Sequence, residues 1–73
     1  MDMVVTDLKR RVCKQFLLKK SLVKVHRVDT GYSVGVIISI SDDGIILKND
    51  RSELESYISF ESIDIIFEMG GGK

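Results

Sequence analysis

Proline is absent from this chain, cysteine and histidine occur once each, and the aromatics are two Tyr and three Phe. Each shortage excludes something. With Cys13 alone, no disulfide can form within the chain, and a lone thiol suits a reducing compartment better than a secreted setting. With His26 alone and no ligand partner beside it, neither a metal nor a cofactor is expected. No nucleophile has a base and an orienting third group, so no enzyme and no small-molecule substrate are expected. No apolar run approaches the roughly 18 residues that span a bilayer. The opening "MDMVVTDLKRR" places its acid before its bases, the wrong order for a secretory signal. A cytoplasmic protein without a membrane partner is therefore expected. "GGG" at 70–72 has no helix after it and so is not a phosphate loop; residues 70–73 are expected to be a disordered tail. Without proline, repeat or linker, residues 1–69 read as one domain.

A chain of 73 residues has little core. Such domains bury only about 60% of their unfolded surface and usually need disulfides, a metal, unusually good packing or oligomerisation. The first two being excluded, oligomerisation moves forward. The net charge is zero but unevenly spread. Residues 1–27 hold eight Lys/Arg and two Asp/Glu, and residues 28–73 hold three and nine. The basic half points to an anionic partner such as nucleic acid, or to attraction between the halves, within or between chains.

Periodicity divides the chain in two. Val5, Leu8, Val12 and Phe16 recur at three- and four-residue spacing, which predicts an amphipathic helix over 6–19. Thr6 is the expected cap, with Asp7 at the positive end of the dipole and Lys19 and Lys20 at the negative end. From residue 21 the period becomes two. "LVKVHRV" is one strand, "DTG" (29–31) a turn, and "YSVGVIISIS" a long strand holding Gly35. "DDG" (42–44) is a tight turn before "IILKN". "LESYISF" and "IDIIFEM" follow, separated by the two residues 61 and 62. The expected fold class is mostly β: a small five-stranded antiparallel barrel over 21–69 with an N-terminal α-helix. In the long strand, Val34, Val36, Ile38 and Ile40 form one row, read as the barrel interior. Ile37 points the other way and calls for a cover, the helix being the obvious one. In the last strand Ile63, Ile65 and Phe67 share a face opposite Ile66. Two free edges remain, and exposed edges pair with another copy.

This layout resembles the Sm-like (LSm) family, a variety of SH3-like barrel, and its bacterial Hfq branch in particular. The resemblance spans about residues 5–68. Its first part is "VKVHRVDTGYSVGVIISISDDGIILKN", with Gly31 and Gly35, an acidic turn and paired apolar strands. Its second part is "ISFESIDII", where Ile58, Ile63 and Ile66 match the apolar spacing of the family's second motif. The resemblance implies a homo-oligomeric ring of roughly five to seven copies that binds single-stranded RNA. The uridine-binding pore residues do not carry over: Asp43 stands where Hfq has an aromatic, and Ser59–Phe60 replaces Lys–His. Tyr32 lies where Hfq reads purines, and an exposed aromatic there can stack on a base.

The candidate nucleic-acid-binding residues are therefore Lys9, Arg10, Arg11 and Lys14 of the helix, together with Tyr32. A dense basic face repeated around a ring would gather phosphate contacts; the plainer reading is a solvated helix face. His26 reads as a strand-surface or interface residue, and Cys13 as a small buried one. The expected function is an RNA chaperone or scaffold. Its alternative is a protein-interaction or assembly module with the same barrel and no nucleic-acid role. A monomeric OB-like barrel is a third, weaker fit, because it calls for a cluster of aromatics on one strand face.

Overall fold

The computed structural model describes the backbone of residues 3–29 and 31–70 and the side chains of 7–29 and 31–69. Its elements run α1 (Met3–Lys19), β1 (Leu22–Arg27), β2 (Gly31–Ile40), β3 (Gly44–Asn49), β4 (Glu55–Ser59), a single 3₁₀ turn (Phe60–Ser62) and β5 (Ile63–Gly70). Of the expected tail, Gly70 closes β5, and residues 71–73 lie outside the described residues.

The helix begins three residues before the expected start. Thr6 is therefore inside it and not at its cap. Nothing in Met3–Val5 opposes a helix, and the Asp7 carboxylate is engaged by Arg10 at 3.4 Å and Arg11 at 3.7 Å, one turn on. The other end is where the sequence placed it. Lys20 takes φ 54°. Its N–H donates to the Leu17 carbonyl, and the Ser21 N–H donates to that of Phe16, both at 3.1 Å. This is the Schellman arrangement, which satisfies the last carbonyls of a helix.

All strand pairs are antiparallel, in the order β4-β3-β2-β1-β5. The sheet wraps one core and leaves β4 and β5 as its edges. That core holds Val23, Val25, Ile37, Ile45, Leu47, Ile58, Phe60, Ile63 and, from the helix, Cys13. The helix lies over β2 and covers Ile37, as the sequence suggested. Its buried stripe is Val12, Cys13, Phe16 and Leu17; Leu8, expected in that stripe, is exposed.

Strand pairing and two bulges set faces other than the expected ones. In β2 the inward residue is Ile37, 1% exposed, while Ile38 from the expected interior row is 41% exposed. Val23 and Val25 set this parity, because they pair with Gly35 and Ser33 and so share their face with Ile37. A register shift between Ile37 and Ser39 then brings Ile40 back toward the core opposite Ile45. In β5 a shift opposite His26/Arg27 separates Ile63 from Ile65. Ile63 and Ile66 turn inward, while Ile65 and Phe67 turn outward. One extra residue exchanges the two faces of a strand, and alternation alone cannot reveal it. Gly35 meets a separate demand: a Cβ there would lie 2.1 Å from the Lys48 carbonyl oxygen on β3. Only glycine permits that approach.

Candidate nucleic-acid interface

The four helix cations do not form one surface. Lys9 Nζ donates to the Phe60 carbonyl at 2.8 Å, tying the helix to the 3₁₀ turn. Arg10 donates to Asp7 at 3.4 Å and to the Asp42 carbonyl at 3.3 Å, while its Nε is buried without a partner. Both side chains are half-buried and hold the helix against the end of the sheet. Arg11, with its side chain 76% exposed, and Lys14 point outward. Two of the four are thus drawn into packing by backbone carbonyls distant in sequence, which a charge run does not disclose.

Tyr32 lies on the face of the sheet away from the helix and is 60% exposed. It does not stand alone. The β1–β2 register sets His26 directly across from it, with ring centroids 5.7 Å apart and planes tilted by 38°. On its other side His26 stacks on Phe67 of β5, at 5.9 Å and 28°. These separations lie in the favourable range for aromatic pairs. Lys24 Nζ sits 4.1 Å above the centre of the Tyr32 ring, a cation–π contact. Three neighbouring strands thereby build a row of π-faces with a cation over one end. The sequence signalled half of this, since Lys24 and His26 are two apart on β1 and share a face. That Tyr32 and Phe67 flank them follows from register and from the β5 bulge.

Such a row suits a single-stranded nucleic acid. Each unstacked base has a π-face to lay on a ring, whatever its sequence, and an ammonium nearby attracts phosphate. A different surface lies around the β2–β3 turn. There a depression of about 350 Å³ is lined by Asp42, Asp43, Tyr57, Ser59, Phe60 and Glu61. Its carboxylates would repel phosphate.

The remaining reactive groups serve the fold. Burial pushes the Cys13 thiol up to about 11, against a smaller opposing effect of Lys9. Glu68 accepts a hydrogen bond from Ser21 Oγ at 2.7 Å and one from Lys19 Nζ at 3.3 Å. The Ser21 bond, more than Lys19, holds its carboxyl below its ordinary 4.5. The pair fastens the end of α1 to β5. Among the described residues no group of three or more His, Cys, Asp or Glu is placed to hold a metal ion. No described helix is long and apolar enough to cross a membrane.

No family model matches the chain, and no curated protein matches it. A solved structure does: that of Hfq, described as a pleiotropic translational regulator. It superposes with a TM-score of 0.72 over 86% of this chain and 92% of the other, at 14% sequence identity.

Proposed function

Starting from the Sm-like fold that this chain shares with Hfq, we propose that copies of it join through β4 and β5 into a homo-oligomeric ring that binds single-stranded RNA in the cytoplasm, as a chaperone or scaffold. The observation that carries the reading is the row Tyr32–His26–Phe67 with Lys24 above it. Bases stack on the rings, and Lys24 meets the phosphates. Arg11 and Lys14 add a second positive surface on the helix. The chain's part is binding and not catalysis.

The edges support assembly. Tyr57 on β4 and Leu54 just before it are exposed, as are Ile65, Phe67 and Met69 on β5. An unpaired edge bearing apolar side chains is a template for another strand. Because β4 and β5 are different surfaces, joining one to the other is head-to-tail and closes a ring when the rotation allows. Roughly five to seven copies is the size that the resemblance suggests.

The test is titration of a labelled single-stranded RNA at low and high salt. Tyr32→Ala should weaken binding at all salt concentrations. Arg11→Ala with Lys14→Ala should weaken it and flatten its salt dependence. Lys9 and Arg10 are poor choices for such a test, because their loss disturbs the helix anchor. The second reading, an assembly module without nucleic acid, draws on the acidic depression and on the internal use of Lys9 and Arg10. Absence of RNA binding at low salt would favour it.

A further inference from the structure

We propose that His26 couples nucleic-acid binding to pH, so that protonation of its imidazole tightens the hold on a single strand; this rests on the RNA-binding reading above. The imidazole lies between the rings of Tyr32 and Phe67 in the centre of the row. Neutral, it offers only a π-face. Protonated, it becomes a cation flanked by aromatic rings, and both its nitrogens donate to phosphate or base oxygens.

Groups from three strands face the imidazole. On its own strand Lys24 shares its face, while Arg27 turns to the other and donates to Ser33 Oγ at 2.7 Å. From β2 it meets the Tyr32 phenol. From β5 it meets Phe67 and Ile65, with exposed Asp64 at the bulge opposite the His26/Arg27 pair. Lys24 and a protonated His26 together place two cations on this outer face. A phosphate settling between them is held by both charges. Binding therefore favours proton uptake, and by reciprocity proton uptake favours binding.

The chain makes this separable from other pH effects. Imidazole is the side chain that ordinarily changes charge between pH 5 and 8, and His26 is the one histidine. Cys13 titrates far above that window and Glu68 below it.

The experiment is a fluorescence-anisotropy titration of a short labelled RNA of mixed sequence at pH 5.5 and 7.5, at fixed ionic strength. It compares the unaltered chain with His26→Phe, which keeps an aromatic ring, and His26→Gln, with circular dichroism confirming the fold at both pH values. The unaltered chain should bind about two- to five-fold more tightly at pH 5.5 for each subunit engaged. Its salt slope should steepen by roughly 0.7 for each phosphate gained. In both variants the ratio between the two pH values should fall to about one. An unaltered chain that binds equally at both pH values, or variants that keep its ratio, would overturn the coupling and leave RNA binding standing. No binding at either pH would overturn both.

Discussion

Cys13 marks how one residue's chemistry is set by its position. The helix places it under β2, where it is fully buried, and burial holds its thiol near 11. The thiolate is the reactive form. At pH 8 it is about one part in a thousand of the folded protein, against about one in ten at the ordinary value of 9.0. Folded protein should therefore react with an aromatic disulfide reagent at least a hundred-fold more slowly than protein in denaturant, measured by thiolate release; equal rates would place Cys13 outside the core. That Cys13 is a small buried residue was legible, because it sits beside the apolar stripe. Tyr32 was legible as an exposed aromatic following a turn glycine. The other members of its row were not, since a ring's neighbours across a sheet depend on register, which no single strand encodes.

Among the elements, the helix end offers the clearest test. Lys20 occupies the left-handed conformation that closes α1, where an L side chain costs roughly 1–2 kcal/mol and glycine nothing. Lys20 is exposed, so Lys20→Gly should raise stability by about 1 kcal/mol after the added chain entropy of glycine. That corresponds to a rise in Tm of about 4–8 °C for a domain of this size, read by thermal melting. An unchanged or lower Tm would mean that the helix ends otherwise. The order of elements followed directly from the change of period at residue 21 and from the two acidic or glycine-bearing turns. Strand faces were less accessible. The bulges at Ile37/Ser39 and at His26/Arg27 exchange inside for outside partway along β2 and β5. Pairing with Val23 and Val25 turns Ile38 outside, though alternation placed it within, and the β5 bulge parts Ile65 from Ile63, with which alternation had grouped it. The outward Ile65 is the more consequential, since it makes the β5 edge apolar.

At the scale of the whole molecule, the sheet's inner face makes the core, and the proposed function assigns its outer face to nucleic acid and its two edges to assembly. Assembly through the rims should give a native mass of about five to seven times 8.2 kDa by light scattering. Ile65→Glu, which places a charge on the β5 rim without touching the core, should reduce it toward 8.2 kDa while the circular dichroism spectrum is retained. A single-copy mass for the unaltered chain would contradict the ring. The charge asymmetry resolves at this scale too. Part of the basic segment is engaged within the chain's own fold, where Arg10 reaches the carbonyl of Asp42 and Lys19 reaches Glu68, and part faces outward on Arg11 and Lys14. The proposed function requires single strands to lie across the outer sheet face. The most direct measurement is the affinity of the unaltered chain and of Tyr32→Ala for a short single-stranded RNA at low salt. Loss of one stacked base per subunit should weaken binding by about five- to one-hundred-fold. Equal affinities, or no binding by the unaltered chain, would contradict it.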